Sequence, residues 1–462
     1  MSIDELKSIL KPDSWTDNPD AIAPHLSEWR GLWAGKTPLM LVPSSVEEVA
    51  RAVAHCAAAK IGIVPQGGNT GLCGAAIPDN SGSQVLLSLS RLNRIRSVDP
   101  DNFSMCVEAG CVLADLQSAA EDAGRYFPLS LAAEGSCQIG GNISTNAGGV
   151  NVLRYGTARE QVLGLEVVLA DGTVWNGLRA LRKDTAGYDM KQLFIGAEGT
   201  LGIITAAVLR LYPPPRDMRS LWAAVASPRH AVQFLSFMRD TLGDNLHAFE
   251  LLSDRSVRFV RRHVGGTRLP GSDDSAWYVL ADVVSWDQGD AMERALSAAV
   301  ERGIVNDVVL AKNQQEADSF WRLRHSVSTA QKAEGESLKH DISVPLDKIP
   351  DFIDRAGDAV RKLIPGARIV AFGHVGDGNV HYNVSQPAHV DGGQFAARRP
   401  EVATLIYDIV VSLGGSISAE HGIGVLKRQD LKRYRSAAEL GLMRSIREAL
   451  DPDHILNPGK VL

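Results

Sequence analysis

Two short segments carry the histidine and carboxylate side chains that could bind a metal ion. His374 and His381 flank a stretch whose centre, Asp377-Gly378, is typical of a two-residue β-hairpin turn with positive φ at both positions. A turn centred there places the two histidines opposite each other, with Cβ atoms about 4.5–5.5 Å apart, close enough to share one divalent ion. Glu420 supplies a third ligand from a glycine-flanked loop. Zinc suits this set, manganese or cobalt would also bind it, and an ordinary structural histidine pair is the alternative.

The residue after Glu420 is a histidine, and its side chain could accept a proton. The unperturbed pKa of imidazole lies close to neutrality, which suits a general base. We therefore predict that His421 removes the proton of a hydroxyl group held near Glu420. A histidine that only stabilises its loop is the alternative interpretation.

A third set of residues is suited to binding carboxylates. Arg324 and Ser328 are four residues apart in a helical pattern, so they are predicted to share one helix face. The guanidinium of arginine forms a planar fork that matches a carboxylate, and Lys339 could add a second cation. For any single arginine or lysine, a surface salt bridge is the competing interpretation.

Three glycine-rich segments follow or flank predicted strands: residues 65–71, 139–149 and 196–204. None fits the G-x-G-x-x-G or G-x-x-x-x-G-K-[ST] pattern, so a dinucleotide-binding Rossmann motif and a P-loop are both excluded. Glycines separated by Asn, Ser and Thr expose successive N–H groups, which is how a backbone nest holds a pyrophosphate. Simple tight turns would explain one such segment, but three in one region favour a large ligand.

Composition and charge describe an ordinary globular chain with more than one core. The 462 residues are 45% hydrophobic and carry a net charge of −6, which argues against nucleic acid as a partner. The five cysteines form no C-x-x-C motif, which favours reduced thiols and a cytoplasmic location. No signal or transit peptide and no transmembrane segment is visible, so we expect a soluble protein.

The hydrophobic pattern predicts an α+β fold. Before residue 215 we expect helices at Val46 to Lys60 and Leu113 to Ala123, with strands that include Ile61 to Val64, Val85 to Leu89, Met105 to Glu108 and Leu165 to Leu169. Three prolines, at residues 213–215, predict a domain boundary. Beyond it we expect a strand at Trp277 to Val284 and four helices, namely Pro228 to Leu242, Asp287 to Arg302, Glu316 to Ala333 and Leu346 to Leu363.

The glycine segments, together with residues 163–173, 191–205 and 372–381, resemble the vanillyl-alcohol oxidase / p-cresol methylhydroxylase group of flavoproteins over nearly the whole chain. Within that group, the members that oxidise D-2-hydroxyglutarate are the most similar. The resemblance implies a two-part FAD-binding domain (1–215), an α+β substrate or cap domain with an antiparallel sheet that carries the metal-site hairpin (216–415), and a C-terminal segment (416–462) that returns to the FAD domain and completes the active site.

The resemblance also implies roles for individual residues. The pyrophosphate of FAD is expected on residues 65–71, and the isoalloxazine near residues 135–149 and 198–204. The implied flavin-binding residues are Pro65, Gln66, Gly67, Gly68, Asn69, Thr70, Gly71, Gly135, Ser136, Gly140, Gly141, Asn142, Ser144, Thr145, Gly148, Gly149, Glu198, Gly199, Gly202, Ile203, Ile204 and Asn457. The implied metal ligands are His374, His381 and Glu420. The implied substrate-binding residues are Arg324, Ser328, Lys339, Asn383 and His421.

Two positions depart from patterns known in the group. Some relatives attach the flavin covalently through a histidine in the first glycine loop, where this chain has Asn69, so we expect noncovalent FAD. Ser328 replaces the usual threonine, which keeps the hydroxyl and loses a methyl group.

The activity that the resemblance implies is oxidation of a D-2-hydroxy acid, with D-2-hydroxyglutarate or D-malate as substrate and electrons passed to an electron-transfer flavoprotein or a quinone-linked carrier. A homodimer is a further expectation. A D-lactate or glycolate dehydrogenase of the same group is the nearest alternative. A flavin-free metallohydrolase built on His374, His381 and Glu420 and a noncatalytic flavin-binding module are alternatives from other classes.

Overall fold

The structure, a computed structural model, describes residues 3–271, 274–284 and 291–462, and these residues form two units. Unit 1 consists of residues 1–149, 155–214 and 420–462, and unit 2 of residues 150–154 and 215–419. The chain passes into the second unit at Pro215, within the proline run where the sequence predicts a boundary. It returns to unit 1 at Glu420, where the prediction has 416.

Within the described ranges, strands and helices alternate along both units. The strands are β1 (Trp15–Thr16), β2 (Met40–Leu41), β3 (Ile63–Gln66), β4 (Val85–Ser88), β5 (Ile95–Asp99), β6 (Ser104–Glu108), β7 (Val162–Val168), β8 (Val174–Gly177), β9 (Ile203–Arg210), β10 (Met218–Val225), β11 (Leu246–Ser253), β12 (Trp277–Val284), β13 (Asp307–Leu310), β14 (Ser337–Ser343), β15 (Arg368–Gly373) and β16 (Asn379–Ser385). The helices are α1 (Ile3–Ile9), α2 (Pro19–Ile22), α3 (Val46–Ala59), α4 (Leu113–Asp122), α5 (Ile139–Ser144), α6 (Val152–Tyr155), α7 (Ala158–Gln161), α8 (Lys191–Phe194), α9 (Pro228–Leu242), α10 (Asp254–His263), α11 (Ala291–Glu301), α12 (Gln314–His325), α13 (Val327–Ala333), α14 (Ile349–Leu363), α15 (Gly392–Ala397), α16 (Arg399–Ser412), α17 (Arg428–Tyr434) and α18 (Ala437–Leu450).

Unit 1 contains two sheets, and the chain's last residues join one of them. The first sheet has the order β1-β2-β4-β3, with parallel pairing of β4 to both β2 and β3. The second is antiparallel and has the order β5-β6-β9-β7-β8. Ile63 N–H donates to the Ile455 carbonyl (2.8 Å) and Asn457 N–H donates to the Ile63 carbonyl (2.8 Å). The C-terminal segment therefore extends the edge that β3 presents.

Helix α3 shows why this sequence folds as predicted in unit 1. The Ser45 side chain accepts from the Glu48 N–H and caps the helix, and Lys60 ends it in the left-handed region at φ 54°. Val49, Val53 and Cys56 recur at helical spacing and are buried in the same core as the strand residues of β2 and β4. Burial of this stripe against a sheet specifies the helix more strongly than its propensity does.

Unit 2 is built on a seven-stranded antiparallel sheet of order β13-β10-β12-β11-β15-β16-β14. Helices α10, α12 and α13 pack with one set of sheet residues, in a core that includes Trp222, Tyr278, Phe320 and Phe372. Helix α9 packs with α11, with α14 and on β11. The α+β fold predicted for the chain is thus confirmed.

Two helix predictions differ from the structure in this unit. The pattern from Glu316 to Ala333 predicts one helix, but Ser326, at φ −80° and ψ −7°, separates α12 from α13. In the predicted helix Asp287 to Arg302, residues 287–290 lie outside the described residues, and α11 covers Ala291–Glu301. Helix α9 and strand β12 have the predicted bounds.

Candidate active site

A cleft in unit 1 is lined by all three glycine-rich segments. Residues predicted to bind flavin that line it are Pro65, Gln66, Gly67, Gly140, Gly141, Ser144, Thr145, Glu198, Gly199, Gly202, Ile203, Ile204 and Asn457. Ala75, Ala76 and Leu89 also line it, and sequence reasoning missed them. They are apolar residues without a motif, and only the pairing of β3 with β4 brings Leu89 next to Gln66, whose carbonyl accepts its N–H.

The first glycine loop presents a row of backbone donors. Among the described residues, no acceptor is recorded for the backbone N–H groups of residues 67–71. Asn69 has φ 53° and its side chain donates to the Ser27 carbonyl (3.1 Å), which orders the loop without using its N–H groups. Consecutive N–H groups of this kind are suited to an anion such as a pyrophosphate.

Buried amide oxygens belong to Asn457, which lines the cleft, and to Gln138 and Asn142, which lie close in sequence to its lining residues Gly140 and Gly141. Within the part of the chain that the structure describes, Gln138 Oε1, Asn142 Oδ1 and Asn457 Oδ1 are buried without a hydrogen-bond donor. A buried acceptor with no donor costs about 1–3 kcal/mol, so such atoms are normally satisfied by a ligand or water. The N–H and hydroxyl groups of FAD are donors of the required kind. A Cβ added to Gly141 would meet nothing within 4 Å, so the cleft is open there, and the residues present fit the cofactor.

The remaining predicted flavin residues do not line this cleft in the described structure; they are Gly68, Asn69, Thr70, Gly71, Gly135, Ser136, Asn142, Gly148 and Gly149. Gly68 and Gly149 are required by close backbone packing, because a Cβ would lie 2.1 Å from the Ser136 carbonyl oxygen and 2.0 Å from the Ser130 carbonyl oxygen, respectively. The segment predicted as a loop from residue 139 begins instead with helix α5, which contains Gly140 and Gly141.

Glu198 fastens the loop that follows Glu420 and His421, within unit 1. Its buried carboxylate accepts the N–H groups of Ile423 (2.7 Å) and Gly424 (2.8 Å), and burial raises the pKa of this carboxyl despite the two donors. The Cys73 backbone carbonyl accepts from the Val425 N–H at 2.8 Å, which holds the other end of the loop. Glu420 itself accepts the Gly149 N–H at 2.8 Å through Oε1. The loop carrying the predicted base is therefore held by three separate contacts.

The hairpin predicted in unit 2 forms, but with a different turn. Phe372, not His374, is the partner of His381 in the ladder of β15 and β16. The connection is a 3-10 turn at Val375–Asp377 followed by Gly378 at φ 91°, so the predicted type I′ turn and its register are wrong. The Asp377 carboxylate accepts the Asn379 N–H at 3.1 Å, which stabilises Asp377 outside the left-handed region.

Despite the changed register, the two histidines lie together. The rings of His374 and His381 pack edge to face with centroids 5.3 Å apart. His374 begins the connection, directly after β15, whereas His381 lies within β16. Two imidazoles at this separation are able to bind one divalent ion.

The histidines belong to a row of polar residues on one face of the unit 2 sheet. Alternate residues of a strand share a face and cross-strand partners share it too, so the registers define the row. Asp341 pairs with His381 and Lys339 pairs with Asn383 between β14 and β16. Asp341, missed by sequence reasoning, is buried, and its Oδ1 lies 3.6 Å from His381 Nδ1 and accepts from Asn379 at 2.9 Å. The alternation His340-Asp341-Ile342 within a strand was the available signal.

Glu250 on β11 is a further residue that the sequence did not reveal. Its carboxylate is fully buried; one oxygen contacts His374 Nδ1 and the other accepts from Arg324 Nε at 2.6 Å. Burial alone would raise the pKa of this carboxyl, but Arg324 and His374 hold it well below its usual range. Glu250 is therefore an anion that joins a predicted metal ligand to a predicted substrate-binding residue.

The residues predicted to bind the substrate carboxylate have different environments. Arg324 is buried on α12 and its guanidinium carbon lies 4.8 Å from the centre of the Phe372 ring, whereas Ser328 is exposed on α13. The shared helix face predicted for Arg324 and Ser328 is wrong, since one side chain is buried and the other is exposed, with the end of α12 between them. Asn383 is buried and donates to Gln331 of α13 at 2.8 Å. Arg324, Asn383 and Lys339 all belong to unit 2, and His421 to unit 1.

The class of protein follows from family comparisons that agree with the cleft. Residues 37–177 match a model of the FAD binding domain family, and residues 214–461 match the C-terminal domain of FAD linked oxidases. The fold is similar to that of p-cresol methylhydroxylase, solved with substrate bound, with a TM-score of 0.78 at 17% identity, covering 99% of this chain and 95% of that one. The two family matches, together with the cleft, define an FAD-linked oxidoreductase.

Curated relatives narrow the class to one family. The chain is 37% identical over 464 residues to a protein from Oryza sativa subsp. japonica named probable D-2-hydroxyglutarate dehydrogenase, mitochondrial, covering 99% of this chain and 80% of the relative. It is 36% identical to D-2-hydroxyglutarate dehydrogenase of Stutzerimonas stutzeri, covering 99% of this chain and 98% of the relative. The chain belongs to the D-2-hydroxyglutarate dehydrogenase family. Across the described ranges, no helix combines the length and apolar character needed to cross a membrane.

Proposed function

We propose that this protein oxidises D-2-hydroxyglutarate to the corresponding 2-oxo acid, using noncovalent FAD and a divalent metal ion. The observation that carries the proposal is the sequence identity of 36–37% with D-2-hydroxyglutarate dehydrogenases, which extends over 99% of this chain. Arg324, Lys339 and Asn383, which all belong to unit 2, are cationic and polar groups that suit a substrate with more than one carboxylate. D-malate, a shorter hydroxy dicarboxylate, is a second expected substrate.

The chain's own residues have distinct tasks in this proposal. The cleft in unit 1 binds FAD, which supplies the hydride acceptor when bound. The predicted ligands His374, His381 and Glu420 would hold the metal, which would favour loss of the hydroxyl proton. His421 accepts that proton, and its loop is held in place by Glu198 and Cys73. Arg324 and Lys339 neutralise the distal carboxylate, which would be costly to bury alone.

The substrate assignment is tested by anaerobic bleaching of the flavin with a panel of D- and L-hydroxy acids. Rapid bleaching by D-2-hydroxyglutarate, slower bleaching by D-lactate and none by the L-enantiomers is the expected result. Preferential bleaching by D-lactate or glycolate would assign the protein to the alternative specificity within the same group.

The attachment of FAD and the electron acceptor need separate tests. Asn69 stands where a covalent histidine could have stood, so acid precipitation should release all the flavin, and colour in the pellet would contradict this.

An electron-transfer flavoprotein or a quinone analogue should reoxidise the reduced enzyme faster than oxygen does. Light scattering tests the expected homodimer.

A further inference from the structure

Glu250 occupies an unusual position for a carboxylate, because each of its oxygens has a different cationic or proton-donating partner. Oε1 contacts His374 Nδ1 and Oε2 accepts from Arg324 Nε at 2.6 Å. Glu250 and Arg324 are both buried, and the exposed fraction of Glu250 is 0%. All three residues lie in unit 2, so the arrangement is internal to that unit.

The sheet register explains how Glu250 reaches both partners. Leu252 of β11 pairs with Phe372 of β15, so continuing that ladder by two residues places Glu250 opposite His374. Arg324 approaches the same face from α12 and stacks over Phe372. Backbone pairing and helix packing therefore fix Glu250 against both residues. An ion pair on a mobile surface lacks this support.

A carboxylate that accepts from Nδ1 of a histidine fixes the ring's tautomer. With the proton held on Nδ1, the lone pair is on Nε2, the nitrogen then available to a metal ion. Arg324 donates to Glu250 through Nε, so its two terminal nitrogens can point toward a carboxylate ligand.

We propose that Glu250 is a positioning residue that sets the metal affinity of the protein by fixing His374 and orients Arg324 toward the substrate at the same time. The inference rests on the proposed function, because it concerns the same metal ligand. It adds a residue whose effect on metal affinity can be measured without turnover.

Glu250→Gln separates the two roles of the carboxylate. The amide that this substitution introduces has one acceptor oxygen, so it can serve His374 or Arg324 but not both, and its NH₂ group faces the other donor. If that NH₂ group faces His374, the ring must place its proton on Nε2, and the metal loses its ligand atom. Glu250→Asp keeps the charge but shortens the side chain by one methylene.

The experiment measures metal affinity on chelator-treated protein that retains its flavin, by titrating Zn²⁺ against a chromophoric chelator. We expect Glu250→Gln to weaken zinc binding about 10- to 100-fold, the range typical of residues that orient a ligand. Glu250→Asp should weaken it in the same direction. The flavin content of both variants should equal that of the wild type, since the cleft lies in unit 1.

Asp282→Asn is the matched control. Asp282 is a buried acid on the same sheet face, but it accepts from Ser220 (2.5 Å) and Trp321 (3.0 Å) instead of a histidine. The zinc affinity of the Asp282→Asn variant should stay within about threefold of the wild-type affinity. This change is much smaller than the one caused by removing a residue that orients a ligand. Equal losses in Asp282→Asn and Glu250→Gln would overturn the inference in favour of a general structural role.

The other outcomes are also decisive. Unchanged zinc affinity in Glu250→Gln would overturn this inference and leave the proposed function intact. Absence of zinc binding to the wild type would overturn the metal centre and this inference together. If Glu250→Gln does not accumulate as folded flavoprotein, Glu250→Asp gives the same measurement, with unchanged affinity as the contradicting result.

Discussion

The two candidate sites of this protein use different chemistry. The cleft in unit 1 is lined mainly by glycines, small residues and backbone, and the loop 67–71, which reaches the lining at Gly67, presents a row of N–H groups. The polar row in unit 2 consists of ionisable side chains, Glu250, His374, His381, Asp341 and Lys339, placed by strand pairing. A backbone site depends on the space above a few glycines, whereas a side-chain site depends on charge and on register. A substitution in one site should therefore impair that site and leave the other unaffected.

Removing a histidine from unit 2 should have the largest effect on turnover and should not release the flavin. A metal ion contributes several kcal/mol of charge stabilisation, so His374→Ala and His381→Ala should each lower kcat roughly 1000-fold. Steady-state kinetics and the flavin absorbance of the same preparations check this. Chelation should reproduce the effect, and full activity of a metal-free preparation would show the pair to be structural.

Filling the cleft in unit 1 should weaken flavin binding and leave metal binding unchanged. Gly141→Leu puts a side chain into the open space where the structure has no atom within 4 Å, so folding tolerates it but the cofactor clashes. Overpacking costs of about 1–3 kcal/mol predict up to about 100-fold weaker FAD binding, with zinc affinity unchanged. Fluorescence titration of the apoprotein with FAD measures it. Gly441→Leu, also without neighbours within 4 Å, is the control that should bind FAD normally.

Lys339→Ala should change specificity within the polar row. A charge-assisted hydrogen bond to the second carboxylate contributes about 1.5–3 kcal/mol, so kcat/KM for D-2-hydroxyglutarate should fall about 10- to 100-fold. Turnover of D-lactate, which has no second carboxylate, should barely change. Equal losses for both substrates would assign Lys339 to the support of β14 and remove the main argument for a dicarboxylate.

Asp282 should affect the free energy of unfolding and neither site, and it should lower that free energy as pH rises. Burial raises the pKa of this carboxyl to about 6, against hydrogen bonds from Ser220 and Trp321 that lower it. Because the folded value lies above the unfolded one, the contribution of Asp282 to stability is complete below pH 3.8 and is lost as pH rises to about 6. Asp282→Asn removes this dependence. The variant should therefore gain on the order of 2–3 kcal/mol relative to wild type between pH 4 and pH 7. Denaturant unfolding at both pH values measures the difference, and a pH-independent difference would contradict the assignment.

Patterns that depend on neighbours along the chain could be read from the sequence. The stripe of α3, the bounds of α9 and β12, and the three glycine segments are of this kind, since each follows from local periodicity or backbone freedom. The same locality made the resemblance to flavoproteins visible, and with it the histidines, Glu420 and the α+β fold.

Register and long-range pairing could be decided only by the tertiary structure. A two-residue turn and a longer one both suit Asp377-Gly378, and packing of Gly376 against Phe249 and Leu153 accompanies the longer one. Glu250 and Asp341 lie 124 and 40 residues before the histidines they face, and their local sequence does not show which histidine each one meets. Burial stabilises such a charge only when distant strands and helices bring its partner within hydrogen-bond distance, and sequence spacing carries no information about that distance.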